Sequence, residues 1–435
     1  MLILIVLRPM GDDADRNPPS LIQYSPWSQR IDHIQTSFGW KQMKVFSAEH
    51  GLVSIAYTKD QTYSPYRRLY QFAKLFLFVP DSAVYGCPLS MTDGAANILS
   101  TFTKDNALFE SAYHRLISRN PEEFWTSGQW MTERPGGSDV SQTETIAVQD
   151  TQDNNIWNIH GFKWFSSATD ADATLLLART HDPTTGELMQ GSRGLSLFFA
   201  EMKNDKGELN GVRVHRLKQK FGTKAVPTAE LELVGMRAHL VGPLHRGVAT
   251  ISTLLNITRI HAAISVASYL DRCHRIAKQY ATMRYVQGKP LTEHELHVKH
   301  LALTEIISRG AIQLAFYAVY LLNQSETGNN PGYPTNNNTE LQIMLRITTP
   351  LAKLWIAKEA CQEILECMEA LGGQGYMEDA TEIARRFSDA QVNAIWEGTT
   401  NVLALDVWRV LRGGNQQAID IFSNVSFRVL ILCLV

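Results

Sequence analysis

Five short β-type runs fall inside residues 126–240 of a 435-residue chain: Glu144 to Gln149, Ile156 to His160, Leu175 to Ala178, Leu195 to Ala200 and Leu231 to Val234. Turn clusters at Asp153-Asn154-Asn155, Thr184-Thr185-Gly186 and Asp205-Lys206-Gly207 separate them. Helical spacing occupies both flanks. Ile260, Ala263, Ile264, Ala267, Leu270 and Ala277 repeat at roughly i, i+3, i+4, i+7. This pattern predicts an α+β chain: a helical N-terminal region, a central antiparallel β domain (sandwich or small barrel), and a C-terminal four-helix bundle.

The predicted boundaries are 1–125, 126–240, 241–412 and an irregular tail at 413–435. The N-terminal region reads as mostly helical and is expected to be incomplete. Asp12 to Ser20, polar and Pro-rich, reads as loop, Tyr70 to Phe78 as apolar helix, and Gly94 to Arg119 as helical spacing. In the last block helices are expected over Glu293 to Gln324, Glu340 to Leu371 and Val392 to Leu411. A loop is expected from Gly328 to Asn338.

Hydrophobic residues make up 44% of the chain and charged residues 19%, which excludes disorder. A net charge of −2 gives no global electrostatic reason to bind nucleic acid or an anionic membrane. The five cysteines are odd in number and lack CxxC spacing, so neither a disulfide framework nor a cysteine zinc site is expected. An intracellular, cytoplasmic setting follows, with a mitochondrial or peroxisomal one left open. The apolar ends, Met1 to Leu7 and Val429 to Val435, are too short to span a bilayer, and no membrane span is expected.

Three segments bear chemistry. Met131-Thr132-Glu133-Arg134-Pro135-Gly136-Gly137-Ser138-Asp139 joins a Gly pair to two hydroxyls, which suits close backbone approach to a ligand and equally a tight capped loop. Gly161-Phe162-Lys163-Trp164-Phe165-Ser166-Ser167 could wall a flat heterocycle or be an ordinary aromatic strand. Glu397, in Asn393-Ala394-Ile395-Trp396-Glu397-Gly398-Thr399-Thr400-Asn401, reads as a desolvated base or as a helix cap. His294, His297 and His300 share a helix face, but the spacing is not His-Glu-x-x-His, and no metal is expected.

Together the segments resemble the acyl-CoA dehydrogenase family of flavoproteins. Thr132-Glu133-x-x-Gly136-Gly137-Ser138-Asp139, Gly161-x-Lys163-x-Phe165-x-Ser167, Gly372-Gly373-x-Gly375-Tyr376 and Trp396-Glu397-Gly398-Thr399 occur in the family's order, from about Tyr70 to Leu411. Met91-Thr92-Asp93-Gly94-Ala95-Ala96 looks most like the large branch related to the bacterial alkylation-response protein. Against that branch the front of the chain looks shortened.

The resemblance implies one FAD. Met131, Thr132, Ser138, Phe165 and Ser167 match positions around the flavin ring. Arg284 and Gln287 match positions on the cofactor's distal part. Glu369, Gly372 and Gly373 match a segment meeting the FAD of a neighbouring subunit, and Thr399 and Asn401 match cofactor contacts after the base. Ser138, Thr258 and Arg259 match substrate-side positions, and Glu397 matches the catalytic glutamate. Implied with them are an acyl-CoA substrate, a homo-dimer or homo-tetramer, and an electron-transfer partner or oxygen as acceptor. Departures are Trp130 for a small residue, Gln287 for Phe, and Ser388 for the usual Arg before Asp389.

Desaturation beside a thioester needs a base for the α proton and an acceptor for the β hydride. No side chain accepts hydride, so a flavin must. The expected function is therefore FAD-dependent α,β-desaturation of an acyl-CoA, with Glu397 as base. The alternative is a flavin-binding, DNA- or protein-interaction protein of the alkylation-response type with little dehydrogenase activity. A basic face on the last helices, from Arg385-Arg386 or Arg409 with Arg412, would favour it. No nucleic-acid partner is expected otherwise.

Overall fold

The computed structural model describes residues 6–58, 61–104, 106–328, 338–413 and 415–434. The loop expected over 328–338 lies, apart from its end residues, outside them. In chain order the elements begin with α1 (Arg8–Arg16), β1 (Ser20–Tyr24), β2 (Arg30–Gln35), α2 (Phe38–Glu49), α3 (Arg67–Phe78), α4 (Gly86–Ser100) and α5 (Ala107–Leu116). Seven strands follow: β3 (Ser127–Trp130), β4 (Ile146–Gln149), β5 (Trp157–Ser167), β6 (Ala173–Arg179), β7 (Leu195–Glu201), β8 (Val212–Leu217) and β9 (Thr228–Val241). Then come α6 (Gly247–Met283), the small hairpin β10 (Tyr285–Val286) and β11 (Lys289–Pro290), α7 (Glu295–Thr327), α8 (Asn338–Ala370), α9 (Gly373–Tyr376), α10 (Ile383–Gln391), α11 (Thr400–Gly413) and α12 (Asn415–Leu434). The chain divides into two compact units, Met1–Tyr57 with Asp81–Thr258 and Thr58–Pro80 with Arg259–Val435. Thus α3 groups with the C-terminal helices rather than with the rest of 1–125.

In the first unit the strand pairings close on themselves. β6 pairs β4, β4 pairs β5, β5 pairs β9, β9 pairs β7, and β7 returns to β6. The open choice between sandwich and barrel resolves to this ring, with β8 added on β9 and β3 on β6. The β3–β6 ladder is parallel, in an otherwise mainly antiparallel sheet. Its interior is apolar and includes Trp130, Leu176, Phe198, Leu231 and Met236. Trp130 fits because residue 128 is glycine: a Cβ there would lie 2.7 Å from the indole nitrogen. The outer face of β6 and β7 packs with α4, α5 and the start of α6 through Leu175, Phe199, Leu99 and Leu254.

The front of the chain departs from its reading. Residues 12–16, expected as loop, complete α1, and the hairpin β1–β2 stands where helix was expected. Two tertiary contacts explain this. The Asp13 carboxylate accepts from Gly39 N at 2.6 Å, where α2 has unpaired N–H groups, and Val214 N donates to Asp32 Oδ2 at 3.0 Å, docking the hairpin on β8. Both are long-range bonds that local polarity does not announce.

In the second unit α8 packs against α7, α10, α11 and α12, and α3 packs on α7. Arg68 is fully buried and forms a forked pair with Glu326, at 2.8 and 2.7 Å. Thr304 donates to Glu363 at 2.6 Å between α7 and α8. Among the described residues α7 is the one helix long and apolar enough to cross a membrane, and here it packs within this bundle. Two readings are corrected. The helix expected over 392–411 breaks at 395–399, between a short turn Val392–Ala394 and α11. The tail expected to be irregular at 413–435 is helical from Asn415 to Leu434, because Ala418, Ile421 and Val425 form a buried stripe at helical spacing.

The α1–α2 crossing yields a test. A Cβ at Gly39 would lie 2.0 Å from the Met10 carbonyl oxygen, which is backbone and cannot rotate away. Gly39→Ala should lose about 1–3 kcal/mol by overpacking. Gly413→Ala, with nothing within 4 Å, should be near neutral. Urea midpoints followed by circular dichroism check both.

Candidate active site

The residues expected around a ring-shaped ligand lie on β5 and on the loop that leaves β3. Trp164 N donates to Thr132 O at 3.0 Å, joining loop to strand. Below that bond the fully buried Lys163 ammonium reaches Glu133 Oε1 at 2.6 Å and the Leu177 carbonyl at 2.8 Å. Glu133 also accepts from Glu144 N at 2.6 Å. Burial alone would raise the Glu133 pKa, but the Lys163 charge and these hydrogen bonds hold it below its ordinary 4.5. Lys163 is itself lowered by burial, against the pull of Glu133.

On this support the register of β5 against β9 slips between Lys163 and Ser166, a bulge that leaves Phe165 57% exposed. Ser167 Oγ lies 3.0 Å from Thr228 Oγ1. Met131 and Thr132 are half-buried and Ser138 is exposed. Asp139 caps a short turn by accepting from Ser141 N at 2.9 Å, so for that residue the loop-cap reading holds. A Cβ at Gly137 would lie 2.8 Å from Thr132 Oγ1, so glycine keeps the wall beside that hydroxyl open. Thr132 and Ser138 have no side-chain hydrogen bond among the described residues. An exposed aromatic, available hydroxyls and a glycine-lined loop on one surface fit a planar heterocycle with polar edges, such as a flavin.

The second constellation belongs to the other unit. Glu397 is half-buried and stands in the left-handed region at φ 57°, followed by Gly398 at φ 102°. A glutamate is uncommon there, and such outliers gather at functional sites. A side chain at Gly398 would be strained at this φ, and its Cβ would meet the Leu403 side chain at 2.9 Å. Two cations hold this turn. Arg259 Nε donates to the Glu397 carbonyl at 3.1 Å while its Nη2 pairs with Asp406 at 2.9 Å. Lys353, fully buried on α8, donates to the Gly398 carbonyl. Burial lowers the Lys353 pKa to about 8, with Glu397 raising it and Arg259 lowering it further. Trp396 Nε1 donates to Asn393 Oδ1 at 3.1 Å, fixing the approach to the turn.

The remaining expected residues separate. Thr258 is buried, its hydroxyl on the Leu255 carbonyl at 3.3 Å. Arg284 and Gln287 are exposed at the β10–β11 hairpin, with Gln287 at φ 50°. Glu369, Gly372 and Gly373 are exposed where α8 ends. Thr399 and Asn401 flank the start of α11, where Thr399 O accepts from Leu403 N at 3.0 Å. His294 bonds the Val286 carbonyl and His300 pairs with Glu366. Of the candidate basic face, Arg386 is buried beside Glu382 and Asp389, Arg409 pairs with Asp406 at the surface, and Arg412 is exposed. Sequence reasoning gave no role to Lys353 or to the Glu133–Lys163 pair. The second lay within quoted motifs, while Lys353 reads as one more lysine on a long helix.

Family models match in three blocks: the AidB N-terminal domain over 6–107, the acyl-CoA dehydrogenase middle domain over 128–236 and the C-terminal domain over 245–411. The crystal structure of Caenorhabditis elegans ACDH-11 in complex with C11-CoA superposes with a TM-score of 0.93 at 42% identity, covering 99% of this chain and 71% of that one. The chain belongs to the acyl-CoA dehydrogenase family. Acyl-CoA dehydrogenase family member 11 of C. elegans is 44% identical over 408 residues, 93% of this chain and 64% of the worm protein. This chain therefore spans just under two thirds of that relative. Escherichia coli AidB is 28% identical over 429 residues, covering 97% of this chain and 74% of AidB. Members of the acyl-CoA dehydrogenase family are flavoproteins, generally with FAD.

The buried pair beneath the loop is testable. Lys163→Met leaves Glu133 buried without its cation and should lose about 3–5 kcal/mol at neutral pH. In wild type the Glu133 contribution is present above pH 4.5 and is lost as pH falls through the depressed folded value. In the variant burial favours the neutral carboxyl, so the deficit should shrink towards acid pH. Urea midpoints at pH 7 and pH 4 measure the difference.

Proposed function

We propose that this chain is an FAD-dependent acyl-CoA dehydrogenase that desaturates the α,β bond of an acyl-CoA thioester, with Glu397 as the base. The observation that carries the reading is the Glu397 turn: a carboxylate in a left-handed conformation, its own and the next carbonyl each held by a buried or half-buried cation, at the family's base position. FAD, when bound, supplies the acceptor for the β hydride. Thr132, Ser138 and Ser167 offer hydroxyls to its ring, Phe165 and Met131 offer apolar surface, and the Lys163–Glu133 pair ties the loop of Met131, Thr132 and Ser138 to the strand of Phe165 and Ser167. Glu397 removes the α proton, and a backbone N–H of its turn is the donor offered to the thioester oxygen as enolate charge develops. The C11-CoA complex of the worm protein supports an acyl-CoA as ligand and sets the centre of a substrate panel. The exposed Arg284 and Gln287 are offered to the cofactor's distal part, while Glu369, Gly372 and Gly373 are exposed in the single chain, which supports their meeting the cofactor of a second copy, in a homo-dimer or larger assembly. Light scattering of the flavin-loaded protein should give at least a dimer; a loaded monomer removes that assignment.

Glu397→Gln should keep the yellow colour and still bind acyl-CoA, because the ring-side residues are untouched. Anaerobic stopped-flow reduction by the best acyl-CoA should slow by at least about 100-fold, the lower range of a positioned base. Equal rates in wild type and variant would remove Glu397 from the base role.

A further inference from the structure

Lys353 lies on α8, the helix against which α7, α10, α11 and α12 pack. Its side chain has no exposed surface, and its ammonium ends on the carbonyl of Gly398, 45 positions along the chain. A buried ammonium is expensive without an acceptor or an anion, and here it has the carbonyl as acceptor, with Glu397 close enough to act on its charge. The neighbouring carbonyl, that of Glu397, is held by Arg259, which Asp406 holds in turn. Two successive peptide groups are thus gripped from two helices. The two gripped residues have φ values of 57° and 102°, and only the second is a glycine. Removing either grip frees peptide groups whose orientation sets where the Glu397 carboxylate begins.

We infer that Lys353 is a positioning residue for the base: by holding the Gly398 carbonyl it fixes the left-handed turn and, through it, the direction of the Glu397 side chain. The inference rests on Glu397 being the base as far as catalysis is concerned, but the holding of the turn stands independently. Lys353 donates a hydrogen bond and neither gains nor loses a proton in the step; the transferred proton goes from the substrate α carbon to Glu397. Misplacement by about 1 Å at a reacting group is worth about 100-fold in rate.

The test uses full-length, flavin-loaded protein and two variants: Lys353→Met, which keeps the aliphatic stem without a donor, and Lys353→Gln, which keeps a shorter neutral donor and serves if the first does not fold. Hydrogen exchange followed by mass spectrometry reads the turn directly, without activity. Amides in peptides spanning 393–403 should exchange at least about tenfold faster in Lys353→Met, with the β domain unchanged. Flavin absorbance and acyl-CoA affinity should stay within about threefold of wild type, while anaerobic reduction falls about 10- to 100-fold. The isotope effect with α-deuterated acyl-CoA should rise, because proton removal has become the slow step. Lys353→Gln should fall between wild type and Lys353→Met in both exchange and rate. Unchanged exchange at 393–403, or acceleration spread evenly over the chain in both variants, overturns the inference. A local exchange change with a wild-type reduction rate overturns the positioning of the base while leaving the grip intact. Failure of the function reading is separate: wild type is then reduced by no acyl-CoA, or Glu397→Gln is reduced at the wild-type rate.

Discussion

An ammonium group cannot be taken out of water unless something replaces its hydration, and this protein does so at two described lysines. Lys163 is enclosed with Glu133 and a carbonyl, and Lys353 with the Gly398 carbonyl and the field of Glu397. In each unit the buried lysine sits directly under the segment that bears the chemistry. Lys163 fixes where the Thr132–Ser138 loop leaves the sheet, and Lys353 fixes the turn that displays Glu397. Both arrangements give up desolvation energy in return for geometry, since apolar replacements would bury more readily but would leave the loops free to move.

The backbone around these anchors carries the consequences. Gly398 stands at φ 102°, where a side chain is strained, and at Gly137 a Cβ would crowd the Thr132 hydroxyl at 2.8 Å. Glu397 stands beside a glycine in a conformation its own side chain disfavours, and its cost is met by the packing around it. The bulge in β5 turns Phe165 outward while Lys163, two residues earlier, points fully inward. One irregular pairing thus serves both the anchor and the surface it supports.

The arginines of the candidate basic face have different surroundings. A DNA-binding role needs cations available to phosphates. Arg386 is buried among Glu382 and Asp389, whereas Arg409 pairs with Asp406 at the surface with its side chain 70% exposed. Of the residues first considered for a basic face, Arg386 serves the interior of the helical unit and Arg409 its surface.

The order of helical block, β block and helical block was legible because hydrophobic period is local. So were the three chemical segments, whose glycines, hydroxyls and acid lie close together in sequence. Glu397 stood out for the same reason. The hairpin at 20–35, the helix at 415–434 and the break before α11 were misread, because docking on β8, a stripe of three buried residues and a pair of gripped carbonyls decide them. The sequence alone determined which residue types are available for the proposed reaction and in what order they occur. Only the tertiary structure decided which conformation displays them, because the groups that hold Glu397 come from residues 259, 353 and 406. A contact across 45 or 138 positions leaves no mark in a pattern that repeats every two or four.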